Sequence, residues 1–304
     1  MWFIFSLIAL LAWAGSDLFS KWGTRPDDRY SHLRLVIMVG FVMGVHAVGY
    51  MLIGHIEYDP MCMIRYLPIS ALYILSMTIG YIGLRYLMLS LSSPVCNSSG
   101  ALVALLCFFV LGDDLIPLQW VAVACICVGM VLLGIVERRQ ELAAIPAGED
   151  TKKYQNTALA LLLPIGYCIL DALGTFADAF VLDGETPIFT EAEAEISYEL
   201  TFLVCAVLAL CYLLFIRKEK FSVVKERKFL FGALCETLGQ FFYVYAMAAK
   251  PVAAAPMIAS YCVVSVLFSR IFLKEKLTKK QYAVIALVIA GIVLLGICEG
   301  LAEA

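Results

Sequence analysis

Ten apolar windows, each about the length that crosses a bilayer, run along this chain at about 2–22, 33–54, 66–87, 93–111, 118–136, 157–181, 196–216, 229–248, 252–273 and 279–298. About twenty apolar residues in helical form span the roughly 30 Å of bilayer hydrocarbon. Hydrocarbon offers no partner to a peptide N–H or C=O, so each window must close its hydrogen bonds within itself. The expected fold is an all-α integral membrane protein with ten transmembrane helices. Of 304 residues 62% are hydrophobic and only 15% charged, and ten spans with short loops leave no length for a soluble catalytic domain. The opening MWFIFSLIALLAWAG lacks a basic leader and is followed by Lys21 and Arg25, which reads as a first span and not as a cleaved signal.

Charge sets the expected orientation. Lys and Arg crowd the loops after odd-numbered spans: Arg25 and Arg29, then Arg138, Arg139, Lys152 and Lys153, then the run from Arg217 to Lys228, then Lys274 to Lys280. By the positive-inside rule these odd loops are cytoplasmic, in a multi-pass protein of the inner (cytoplasmic) membrane with both termini outside. The segment 182–195 carries Asp183, Glu185, Glu191, Glu193 and Glu195 without a basic residue, as expected of an outer loop. A net charge of −3, with no basic stripe, excludes nucleic acid as a partner. The eleven cysteines sit mostly inside apolar windows (Cys107, Cys125, Cys205, Cys235, Cys262) without metal or redox spacing, so they read as packing thiols and no metal is expected. There is no G-x-x-x-x-G-K-[ST] loop, which argues against ATP use; no cofactor is expected.

The two halves of the chain repeat. A shift of 162 positions lays Pro94 on Pro256, Ser98 on Ser260, Asp113 on Glu275, Gln119 on Gln281, Gly129 on Gly291, and VLLGI at 131–135 on VLLGI at 293–297. It also carries Tyr50 onto Tyr212 and Tyr81 onto Tyr243. The first repeat is 1–136, the second 157–304, and 137–156, with Pro146 and Gly148, is a polar cytoplasmic linker. Five spans per repeat is an odd number, so the copies must have opposite polarity: two inverted five-helix repeats. Such a pair can open a shared site first to one side and then to the other, which points to transport of a small organic solute by alternating access.

Each half ends in an L-x-[DE]-x-L-x-x-x-Q turn, LGDDLIPLQ at 111–119 and LKEKLTKKQ at 273–281, followed by a G-x-V-L-L-G helix. These residues resemble the drug/metabolite transporter superfamily, specifically its EamA-like branch, over essentially the whole chain. The first turn departs from the pattern, with Gly112-Asp113-Asp114 in place of the more usual glycine-glutamate. The resemblance implies a ten-helix transporter whose central cavity is lined by the first, third, fourth, sixth, eighth and ninth helices, with the Asp113 and Glu275 turns as structural caps. Relatives carry amino acids, drugs, sugars, nucleotide sugars and quaternary amines, so the motif speaks to fold and not to solute.

Charges at bilayer depth cost on the order of 2.5–3.5 kcal/mol each, so each needs a partner, a proton or water. Asp171 falls near the middle of the sixth span, and Asp17 is its approximate counterpart, since W-A-G-S-D at 13–17 aligns with Y-C-I-L-D at 167–171. Glu236 shares a helical face with Gln240 and Tyr243. Carboxylates in a desolvated cavity can take up and release a proton, so Asp171 and Glu236 are the candidates for proton coupling. Trp13, Tyr81, Tyr167, Tyr243 and Tyr261 supply aromatic faces suited to an organic cation, and Asn97 and Ser260 supply neutral hydrogen-bonding groups. Pro94 and Pro256 are expected to begin or bend their helices.

His46 is expected to bond to neighbouring backbone, Asp178 and Glu199 to lie in interfacial water, and Arg85 and Arg270 to snorkel. The candidate substrate site is therefore Trp13, Asp17, Tyr81, Asn97, Tyr167, Asp171, Glu236, Gln240, Tyr243 and Tyr261. The function these readings define is secondary active transport, proton-coupled or by exchange, of a cationic or zwitterionic metabolite or drug. The expected partners are that solute and membrane lipids, with the protein a monomer or weak homodimer. The alternative is a lipid flippase or scramblase. An intramembrane enzyme is disfavoured because the three histidines, His32, His46 and His55, have no metal-ligand spacing.

Overall fold

In the computed structural model, residues 1–23, 30–86, 99–112, 115–144, 157–182, 187–272, 274 and 276–302 are described. For residues 21, 80–86, 137–138, 140–144, 157–164, 299–300 and 302 the description is of backbone alone. The described chain is helical, without a strand: α1 (Trp2–Gly23), α2 (Ser31–Ile53), α3 (Pro60–Tyr86), α4 (Ser99–Leu106, continued by a π-helical turn Cys107–Leu111), α5 (Pro117–Ala144) and α6 (Thr157–Leu182). Then follow α7 (Glu191–Cys211, continued by a π-helical turn Tyr212–Ile216), α8 (Arg227–Ala249), α9 (Pro251–Ala259), α10 (Tyr261–Phe272) and α11 (Lys279–Ala302). Nine described spans are long and apolar enough to cross a membrane, α9 and α10 counting as one, and Ser99–Leu111 is a shorter apolar helix. Large apolar side chains such as Ile4, Val45, Phe109, Leu208 and Ile289 are exposed on the outside, where lipid and not water is the compatible solvent.

The helix starts come from caps that hydropathy does not register. α3 begins at Pro60, six residues before its apolar window, because proline needs no N–H partner at a first helical position and the Asp59 side chain accepts from the Met61 N–H at 2.9 Å. α7 begins at Glu191, not at 196. Thr190 and Glu193 form a reciprocal capping box, with Glu193 N–H donating to Thr190 Oγ1 at 3.2 Å and Thr190 N–H to Glu193 Oε2 at 2.9 Å. The expected acidic loop 182–195 is thereby corrected: its last five residues are helix.

The matched turns carry the same physics twice. Gln119 Oε1 accepts from the Ile116 N–H at 3.2 Å, and Gln281 Oε1 from the Thr278 N–H at 2.9 Å; each glutamine caps the helix it opens. Gly112 takes a left-handed φ of 76° and Lys274, 162 positions later, takes 58°. Asp113 and Glu275 lie outside the described residues, as do Pro94 and Ser98. Pro256 sits inside α9 and does not itself break the span. The break falls at Ser260, whose N–H and hydroxyl both turn back to the Met257 carbonyl, at 3.2 and 2.6 Å.

Packing is dominated by α1 along α8, α2 along α7, α5 against α11 and α3 along α6, followed by α2 against α8, α3 against α7 and α4 against α9. Small residues set the closest approaches. A Cβ on Gly40 would come 2.5 Å from Ala206 Cβ and 2.6 Å from the Phe202 carbonyl, so only glycine lets α2 and α7 meet there. Between α5 and α11, Gly129 faces Val288 and Gly291 faces Ile126.

Candidate functional site

The α8 face built from Glu236, Gln240 and Tyr243 turns inward: Gln240 and Tyr243 are buried and Glu236 half-buried. Opposite it, α1 presents Trp13, whose ring meets Tyr243 at 5.3 Å and Tyr261 of α10 at 5.8 Å between centroids. Gly239 makes room for this, since a Cβ there would lie 2.3 Å from Trp13 Cδ1. The Tyr73 hydroxyl of α3 is hydrogen-bonded to that of Tyr243. Three helices thus close an aromatic wall, and α3 extends it.

Carboxylates surround the wall. Asp17 accepts from Ser265 Oγ of α10 at 2.8 Å. Glu236 lies beside Ser16 and Asp17. Asp171 lies beside the hydroxyls of Ser76 on α3 and Ser99 on α4, and within electrostatic reach of Tyr243 and Tyr261. Among the described residues, the hydrogen-bonding neighbours of Asp171 and Glu236 are serines. Trp13, Asp171, Glu236, Tyr243 and Tyr261 are therefore brought together between the helices, and Asp17, itself exposed, borders them. Tyr167, one turn before Asp171, is half-buried on α6. Asn97 and the Tyr81 side chain lie outside what the structure describes.

A second acidic group lies further along α6. Asp178, expected in interfacial water, is 0% exposed and accepts from the Tyr66 hydroxyl of α3. Glu199, expected there too, is also 0% exposed. Its two carboxylate oxygens lie 2.9 and 2.8 Å from His46 Nδ1, so His46 pairs with a side chain and not with backbone. Glu195, expected in a loop, is 0% exposed and stands one turn before Glu199 on the same face of α7. The correction to Glu195 has a local cause. The capping box starts α7 early enough to place Glu195 within the packed α2–α7–α3 layer beside Glu199, and the threonine-x-x-glutamate pattern at 190–193 was the available signal.

The opposite end of the bundle is closed by Arg34 of α2, which donates to the Lys220 carbonyl at 2.6 Å and faces Glu219 and Glu226 at 3.4 and 3.8 Å. At that end Lys228 also donates to the Trp22 carbonyl at 3.2 Å. Lysine and arginine thus crowd this end, with Glu219 and Glu226 facing Arg34 as counter-charges.

Fold and site together define a multi-pass α-helical membrane protein with a polar, aromatic interior. Residues 197–297 match the model of the EamA-like transporter family, one of the drug/metabolite transporter superfamily, and the resemblance read from the two turns is borne out. This third of the chain accordingly carries the pattern of a family of membrane transporters. Among solved structures 28 chains match. One crystal structure, 14% identical, superposes with a TM-score of 0.70 over 100% of this chain and 99% of its own; at that identity the likeness concerns the fold. No curated protein matches.

Proposed function

We propose that this protein is a secondary transporter that carries a small cationic or zwitterionic organic solute through the inner membrane by alternating access, driven by protons or by exchange. The observation that carries this reading is the wall of Trp13, Tyr243 and Tyr261 standing among Asp17, Asp171 and Glu236. An ammonium group is held there by ring faces and carboxylates together, the contact with the rings being worth about 2 kcal/mol or more when desolvated. A phosphate-bearing solute would ask instead for inward lysines or arginines. Gln240, Tyr167, Tyr81 and Asn97 complete the site, the last two on the strength of the sequence.

Alternating access rests on the two halves, 1–136 and 157–304, being inverted repeats across the linker 137–156. Packing supports that relation. Exchanging the halves turns the α1–α8 pairing into α6–α3 and leaves α2–α7, α4–α9 and α5–α11 as they are. The Gly129–Val288 contact becomes Gly291–Ile126 under the same shift of 162. Odd loops are cytoplasmic in this reading, both termini outside, and the Arg34 closure is the inner gate. The transporter works as a monomer or weak homodimer.

The test is uptake of labelled amines and amino acids by proteoliposomes under an imposed pH gradient. Asp171→Asn and Glu236→Gln are expected to remain folded and to lose solute binding or pH-dependent flux. Unchanged, pH-sensitive flux in both variants would remove the site assignment. Movement of acyl-chain lipids alone would remove the solute reading.

A further inference from the structure

His46 on α2 and Glu195 and Glu199 on α7 each offer a ligand atom, and those atoms lie within 4.8 Å of one another. Neither carboxylate is exposed, and neither is ion-paired to lysine or arginine among the described residues. Both oxygens of Glu195 lack a hydrogen-bond partner among the described residues. Two acidic groups one helical turn apart in a buried interface carry a severe desolvation penalty as anions, relieved by a proton or by a metal cation shared between them. We propose that His46, Glu195 and Glu199 form a binding site for one divalent transition-metal ion, separate from the solute site and independent of the transport reading.

The donor set selects the ion. One imidazole nitrogen with two carboxylates suits zinc, cobalt or manganese better than magnesium or calcium, which take oxygen ligands. Zinc ligands sit about 2.0–2.2 Å from the metal, hence at most about 4.4 Å from each other, so the triad needs only a small contraction to bind. The imidazole is already oriented: it stacks on Tyr50 at 5.9 Å between centroids with an interplanar angle of 12°, and meets Phe241 edge-on at 5.6 Å. Tyr50 is fixed in turn by a 2.7 Å hydrogen bond to the Tyr245 hydroxyl. The His46 side chain keeps 33% of its surface accessible, which leaves a route for the ion and room for water to complete its coordination. An ion there would tie α2 to α7 across the Gly40 crossing.

The test uses the full chain, purified in detergent and stripped with chelator. Titration with CoCl2 is expected to give visible d–d absorption saturating at one ion per chain, displaced by ZnCl2 and not by MgCl2. His46→Ala and Glu195→Gln are expected to weaken binding by roughly 10–100-fold, the cost seen for even outer-shell metal partners. If either variant fails to fold, the unmodified chain still decides the matter, because Cu2+ bound there should show coupling to one imidazole nitrogen by pulsed electron paramagnetic resonance. No saturable cobalt binding, full-affinity binding in His46→Ala, or no nitrogen coupling would each overturn the proposal.

Discussion

Tyr66 and Asp178 show how a single hydroxyl can decide whether a buried acid is tolerated. Asp178 is sealed from solvent, one of its oxygens accepts from Tyr66, and the other has no hydrogen-bond partner among the described residues. Tyr66→Phe removes that donor and leaves Tyr243 as the hydroxyl neighbour of the acid. This is expected to cost about 1–3 kcal/mol of stability, read as a fall in the Tm of the purified protein, with Asp178→Leu in the same background recovering part of it. No recovery would mean that the pair does not act as a unit. Gly239 sets the opposite kind of limit. Gly239→Ala pushes a methyl into Trp13, and the overpacking is expected to cost about 1–3 kcal/mol and to weaken solute binding, since the ring cannot retreat without leaving Tyr243 and Tyr261. A variant with unchanged Tm and unchanged binding would show that Trp13 has room to move.

At the scale of the element, the helix ends do the specifying. Gln119 and Gln281 each reach back to the N–H three residues earlier, so Gln119→Ala and Gln281→Ala are expected to lose about 0.5–2 kcal/mol apiece, the usual worth of a cap. Hydrogen exchange should accelerate in the first turn of α5 in one variant and of α11 in the other; protection unchanged in both would count against the caps. Lys274 holds a left-handed φ of 58°, a conformation that costs a side chain about 1–2 kcal/mol and glycine almost nothing. Lys274→Gly is therefore expected to raise the Tm, glycine being what holds the matching left-handed position at Gly112, and a lower Tm would show that the lysine side chain contributes more than the strain removes. Ser260 marks where the ninth apolar window stops being one helix, and its two bonds to the Met257 carbonyl give the break a local cause in place of the expected proline kink.

For the whole molecule, the decisive feature is that both halves contribute to every major pairing. Arg34 closes one end of this arrangement on residues from the α7–α8 connection. Arg34→Gln is expected to open that end. The half-buried thiol of Cys235, two turns into α8, should then be alkylated faster by a membrane-impermeant reagent in inside-out vesicles than in the unmodified protein. Equal rates would dissociate Arg34 from gating.

The amino-acid sequence determined what depends on the bilayer and on covalent order: apolar helices of about twenty residues, and the family its turns resemble. Hydrocarbon imposes these on any apolar stretch of that length. It also singled out Trp13, Asp17, Asp171, Glu236, Tyr243 and Tyr261, because charge and aromaticity at bilayer depth stand out against an apolar background. Tertiary structure alone decided which acids are dry and what they face. Glu195 and Glu199 look like surface residues until a capping box starts α7 early and α2 packs over them, because burial and partners depend on contacts between segments about 150 residues apart in the chain.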